Sequence, residues 1–324
     1  MMSCVREPNA RPDQSQVQTG DVSEMRAGAA FDPVLALVAL IWGANFVAYK
    51  YLMEFIPARG LLAARFGAIT VVLLVVLAWR GQLVRGNSPA MWLRLFLAGV
   101  LVMGTQQISF VSGLDFTAAG EGSLLFSTAP IFTALIAAAI GQEAIARANW
   151  AGIAAAMLGA ALVILGGANA RAAPQTRVLG DLLMLVSSLG YAGFMVLSRP
   201  LGQRYGALKI VAFAYLFGTL VVMPFGGREM LQADWGALGW REWFAMCWLV
   251  LLAGAFGFVA WYWRIAHTTS ARVAVYQYLV PVVAMITAAI LLGERPTAVQ
   301  LGGAALVLTG LYFARRREAV ACPS

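Results

Sequence analysis

Lys50, Arg65 and Glu121 are charged side chains within long apolar runs, near their predicted outer ends. Charge within a bilayer is expensive, so such residues pair, face a wet cavity or mark a solute path. Lys50 and Glu54 are spaced i, i+4, which suits a local ion pair. Arg65 is the nearest cation for Glu121 in sequence terms. The two are expected to pair as a gate, or to meet the carboxylate and the amino group of one solute. The competing reading is structural, an ion pair that holds helices together or a stem that snorkels.

Neutral polar residues cluster in the same runs. Asn45, Gln106, Gln107, Ser123, Ser127, Tyr276, Gln277 and Tyr278 supply amides, hydroxyls and rings. Ser123, Ser127 and Pro130 share one helical face at i, i+4, i+7. A convergent set of this kind suits a polar organic solute. Each member alone could instead bond across to a neighbouring helix. Pro130 and Pro281 each remove a helical hydrogen bond and free the carbonyls of Phe126 and Gln277. Such kinks are tolerated where protein or a wet cavity answers the carbonyl. Glu143 and Glu294 precede the fifth and tenth apolar runs and are expected to serve those helix N-termini structurally.

Other chemistries lack their residues. Cys4, Cys247 and Cys322 are scattered and make no metal spacing. His267 is the only histidine. No phosphate loop or nucleotide fingerprint occurs, so neither cofactor nor metal is expected. An integral membrane enzyme needs a clustered Asp/His/Cys set at one interface, and none is present. A purely structural or partner-binding membrane protein is the remaining alternative, and it needs no central polar cavity.

The elements that must position these residues follow from composition. Of 324 residues, 61% are hydrophobic and 12% charged, and the mean hydropathy is +0.77. The apolar residues come as repeated runs, and roughly 20 residues cross a hydrocarbon core of about 30 Å. The expected architecture is an all-α polytopic membrane protein of ten helices: 31–53, 61–79, 91–113, 116–140, 150–169, 178–198, 207–226, 243–263, 270–292 and 297–314. Residues 1–30 read as a disordered cytosolic tail, and 315–324 as a basic cytosolic tail. With both termini inside, inner segments hold more than twice the Lys and Arg of outer ones. That bias places the chain in the cytoplasmic membrane with cytosolic ends. It also accounts for the net charge of +8 without nucleic acid, because no basic run sits beside stacking aromatics.

An offset of 151 relates the two halves. It pairs Thr117 with Thr268, Pro130 with Pro281, Glu143 with Glu294, Gly152 with Gly303 and Gly159 with Gly310. Trp42–Lys50 (WGANFVAYK) also lies over Tyr191–Arg199 (YAGFMVLSR). The halves, 31–170 and 171–314, are thus five-helix repeats. Five is odd, so they enter the membrane in opposite directions, the inverted-repeat plan of secondary transporters.

The segments AGEGSLLFSTAPIFTALIAAAIGQE and ARVAVYQYLVPVVAMITAAILLGE resemble the fourth and ninth helices of the EamA family, in the drug/metabolite transporter superfamily. LIWGANFVAYKYLMEFIPARGLLAARF resembles its first two helices, including Trp42-Gly43, Phe46, Pro57 and Arg65-Phe66. The resemblance covers about residues 31–314. It implies ten helices with cytosolic termini and transport of amino acids or related metabolites, often as export. Glu121 departs from the pattern, standing where the family more often has a small apolar residue. The expected function is alternating-access transport of a small polar metabolite, by a monomer or homodimer, with the bilayer and the solute as partners.

Overall fold

Hydrocarbon offers no partner to a backbone N–H or C=O, so apolar runs of this length must bond internally. The computed structural model describes residues 32–83, 89–97, 99–100, 104–141, 147–166, 174–267 and 270–315. Among these every regular element is helical and no strand occurs. In chain order they are α1 Pro33–Leu52, α2 Ala58–Trp79, α3 Pro89–Leu97, α4 Thr105–Phe116, α5 Ala119–Phe126, α6 Ala129–Ala139, α7 Arg147–Gly166, α8 Pro174–Tyr205 and α9 Ala207–Gln232. A short 3₁₀ turn, Trp235–Ala237, precedes α10 Trp240–Cys247, a π-helical stretch Trp248–Phe256 and α11 Gly257–His267. The chain closes with α12 Ser270–Leu291 and α13 Ala298–Arg315. The expected tail 1–30, residues 316–324 of the expected tail 315–324, and Glu143 lie outside the described residues, while Arg315 ends α13.

Seven stretches are long and apolar enough to cross a membrane: Pro33–Leu52, Ala58–Trp79, Ala119–Ala139, Asn149–Gly166, Gln175–Leu197, Ala207–Gln232 and Trp240–Arg264. Tyr276–Leu291 and Ala298–Phe313 are shorter apolar helices. Roughly half of each long stretch is buried in the bundle. Much of the remainder presents apolar side chains outward, such as Val71, Leu165 and Leu220.

Local chemistry explains where helices depart from the expected bounds. The expected helix 116–140 is divided at Ser127–Thr128, because Pro130 has no N–H to continue the ladder. Pro281 sits inside an unbroken α12, so the paired prolines have different effects. α8 begins at Pro174, four residues before the expected 178. Proline suits a first helical position, where its N–H is not needed. The turn from α8 to α9 is Gly206, at φ +84°, a conformation glycine adopts freely.

The Glu294 expectation needs correcting. α13 caps itself through Thr297 and Gln300. Thr297 N–H donates to Gln300 Oε1 at 2.9 Å, and Gln300 N–H donates to Thr297 Oγ1 at 3.2 Å. This is a capping box. Glu294 instead reaches α5, accepting from Ala119 N–H at 2.8 Å and Gly120 N–H at 3.0 Å. Ala118, at the N-cap of α5, has no side-chain oxygen to do so. A carboxylate from the α12–α13 connection therefore completes a helix far away in sequence.

α7 and α13 pack backbone to backbone. A Cβ added at Gly159 would meet Val307 N at 2.6 Å and Gly303 O at 2.7 Å. One added at Gly310 would meet Gly152 O at 2.6 Å. Gly302, next to the seam, has open space.

Two outcomes are expected. Gly310→Ala lowers stability by about 1–3 kcal/mol, the usual cost of overpacking, while Gly302→Ala leaves thermal unfolding in detergent near wild type. Glu294→Ala removes the acceptor from the first turn of α5 and lowers stability by about 0.5–2 kcal/mol. The same unfolding assay reads it.

Candidate functional site

Two polar regions stand inside the helices, and their partners differ from the expected ones. The first surrounds Arg65. Its residue is 2% exposed. Nε donates to the Leu249 carbonyl at 3.2 Å, and Nη1 donates to Tyr49 Oη at 2.6 Å and Gln107 Oε1 at 3.4 Å. The guanidinium also lies 5.0 Å from the Tyr49 ring centroid, within cation–π range. Leu249 belongs to the π-helical stretch, a wider coil often found at functional positions. Among the described residues no carboxylate comes within ion-pair distance of Arg65.

Aromatic rings extend from this cation across the bundle. Phe110 packs on Tyr49 and Phe46, and Phe126 packs on Phe110 and Tyr191. Tyr215 packs on Phe66 and Phe258, and Trp42 on Phe258 and Trp261. Within this wall four buried polar atoms make no hydrogen bond to described residues: Asn45 Oδ1, Tyr191 Oη, Tyr215 Oη and Trp261 Nε1. Buried polar groups are normally paired, so four orphans beside an unbalanced cation mark a place built for something else. Asn45 lies one helical turn from Tyr49, on the same face.

The second region centres on Glu121, where α4 turns into α5. Arg177 Nη1 donates to Glu121 Oε1 at 3.0 Å and lies 3.8 Å from Asp181 Oδ2. Thr117 Oγ1 donates to Asp181 Oδ1 at 2.5 Å. The expected Arg65–Glu121 pair does not form. Each residue is taken up by nearer groups, Arg65 by Tyr49, Gln107 and Leu249, and Glu121 by Arg177. A cavity of about 20 Å³ borders Glu121, Glu294 and Gln300.

The other candidates divide between these regions and plain packing. Gln107 and Asn45 belong to the first. Gln106 Nε2 donates to Ser187 Oγ at 3.0 Å, joining α4 to α8. Ser123 donates to Gly120 O and Ser127 to Ser123 O, each at 2.7 Å, so both hydroxyl protons stay on their own helix. The Phe126 carbonyl freed by Pro130 accepts from Ser188 Oγ at 3.2 Å. Tyr278 Oη donates to Leu311 O at 3.0 Å and ties α12 to α13. Tyr276 and Gln277 are half-buried on α12. Lys50 Nζ donates to Asp115 O at 3.3 Å.

Sequence reasoning missed Tyr49, Tyr191, Tyr215, Trp261, Arg177 and Asp181 as site residues. Two had a signal. Tyr191 lies over Trp42 in the WGANFVAYK and YAGFMVLSR alignment. Arg177 and Asp181 are spaced i, i+4 once Pro174 is taken as the start of a helix. Among the described residues no group of His, Cys, Asp and Glu could hold a metal ion.

Comparison with known proteins follows this geometry. The model of the EamA-like transporter family matches residues 32–165 and again 178–316. An uncharacterized transporter of Archaeoglobus fulgidus is 25% identical over 88% of this chain and 98% of its own. A probable terminal-alkyne amino-acid exporter of Streptantibioticus cattleyicolor is 28% identical, over 87% of this chain and 92% of its own. A probable amino-acid metabolite efflux pump of Escherichia coli is 26% identical, over 87% and 94%. A solved crystal structure shares the fold with a TM-score of 0.62 at 18% identity, covering 89% of this chain and 98% of that one. Family and relatives are those of a transporter rather than an enzyme. This multi-pass membrane protein belongs to the EamA-like transporter family.

Proposed function

We propose that the protein exports a small metabolite bearing a carboxylate, an amino acid or a close relative, by alternating access. The observation that carries this reading is Arg65, a buried guanidinium with no carboxylate within ion-pair distance among the described residues. A charge in that position is costly unless an anion arrives. A solute carboxylate supplies one, with the planar two-pronged geometry that a guanidinium matches. The amino group of the same solute meets Asn45 Oδ1 and the ring faces around it. The phenols of Tyr191 and Tyr215 serve its remaining polar atoms. The names of the relatives, an amino-acid exporter and an efflux pump, agree with this class and direction.

The carrier reading takes the helices as ten crossings in two inverted sets of five. α3 with α4, α5 with α6, and α10 with α11 each make one crossing. Support comes from the α7–α13 seam. Gly159 meets Gly303, and Gly310 meets Gly152. Exchanging 152 with 303 and 159 with 310, the pairs related by the offset of 151, maps this contact onto itself. A two-fold axis gives that property to any interface it crosses. The Lys and Arg bias favours both termini in the cytosol, with the Glu121 region near the outer face.

Two measurements test this. In liposomes, Arg65→Gln lowers kcat/KM for carboxylated amino acids roughly 30-fold or more, the lower end for loss of a buried charged partner. The corresponding amino-acid amides, which lack the carboxylate, change far less. Equal loss for both would assign Arg65 to structure alone. Cysteine labelling of either tail in whole cells is expected to require permeabilisation. A tail labelled from outside reverses the orientation.

A further inference from the structure

The Glu121 cluster holds more negative charge than its arginine balances. Each carboxylate has one oxygen engaged by a hydrogen bond, Glu121 Oε1 by Arg177 and Asp181 Oδ1 by Thr117. The other two, Glu121 Oε2 and Asp181 Oδ2, are buried without a hydrogen-bond partner. The side chains are 1% and 0% exposed. Both carboxyl groups face the same Arg177 Nη1, Glu121 Oε1 at 3.0 Å and Asp181 Oδ2 at 3.8 Å. Two carboxylates that share one buried site and one guanidinium cannot both ionise cheaply, and a proton on either relieves the pair.

Among the described residues no further buried cation stands at this site. On α8 the facing groups are Arg177 and Asp181 themselves. On α13 it is Gln300, and on the α12–α13 connection Glu294, which is bonded to α5, with Arg295 exposed. Asp115, at the end of α4, is exposed. α7 and α12 bring no described charged side chain to this end. The cavity of about 20 Å³ that borders Glu121 has room for one water.

We propose that Glu121 and Asp181 together bind one exchangeable proton, with Arg177 and Thr117 holding the two carboxyl groups in place. Hydronium gives the proton through the water-sized cavity and leaves as water. The new O–H bond forms on Glu121 Oε2, the carboxyl group that borders the cavity. Release reverses both changes. Bound, the proton balances two carboxylates and one guanidinium. Unbound, the cluster carries one excess negative charge across the α5–α8 contact. The site thereby gives the carrier a means of tying solute passage to proton passage. That role rests on the carrier reading, whereas the proton chemistry stands apart from it.

Infrared difference spectroscopy of the purified protein in detergent, without solute, tests the site. In wild type a protonated-carboxyl band disappears as pH rises, and sodium chloride in place of potassium chloride leaves its midpoint unmoved. Glu121→Gln and Asp181→Asn each abolish that band. Thr117→Val, which removes a donor from Asp181, moves the midpoint to alkaline pH. A band that persists unchanged in both carboxyl variants overturns the proposal. So does displacement by sodium at constant pH, which marks a metal-cation site. If either carboxyl variant fails to fold, Thr117→Val and the sodium titration of wild type decide. No solute enters the assay, so a negative result leaves the carrier reading standing, and failed transport leaves the proton site standing.

Discussion

No bulk water reaches the middle of a closed apolar bundle to bond a guanidinium or a carbonyl. Every polar atom there must be answered by protein or by something that the protein carries. Much of the interior obeys this closely. Ser188 answers the carbonyl that Pro130 frees. Glu294 answers two amides that α5 cannot satisfy with its own Ala118. Arg65 borrows a carbonyl from the π-helical stretch. Against that background the unanswered atoms are informative. Among the described residues most of them gather in two places, the aromatic wall that runs from Arg65 and the paired carboxylates of Glu121 and Asp181, while Asn149 Oδ1 stands apart.

The two places differ in sign and in kind. The first is a lone cation among neutral rings and amides, which favours an anion that comes and goes. The second is two anions around one cation, tightly bonded on one side and bare on the other. A buried ion pair of the Arg177–Glu121 type is weak evidence for stability, since desolvation offsets much of its attraction. Its more informative property is that it leaves a specific oxygen open.

Helix positions were largely legible, because a bilayer imposes length and composition on each run. α1 was expected at 31–53 and stands at Pro33–Leu52; α12 was expected at 270–292 and stands at Ser270–Leu291. Partner choice was much less legible. Arg65 and Glu121 were singled out correctly as buried charges, yet each bonds elsewhere, because sequence gives depth in a membrane but not azimuth around a helix. The same gap hid Glu294, whose target lies 175 residues earlier. Arg177 was missed for a smaller reason: starting the helix at 178 put it in a loop, where a charge needs no explanation. Asp181 stood inside the expected helix 178–198, but without Arg177 on that helix it had no visible partner. The Thr297–Gln300 capping box was readable from TAVQ alone.

The glycine seam between α7 and α13 has a mechanical consequence. Long side chains at an interface can change rotamer and let two helices shear past each other. Backbone atoms meeting carbonyls have no such slack, and interfaces of that kind move in steps or not at all. α7 and α13 therefore behave as one stiff spine. Bending has to fall on helices whose hydrogen-bond ladder is already interrupted, at Ser127–Thr128 and along Trp248–Phe256. The first directly follows Phe126, whose ring packs on Tyr191, and the second carries the carbonyl that grips Arg65. The compliant parts of the molecule are the parts that touch its aromatic wall, so flexing them reshapes that wall while the spine stays still.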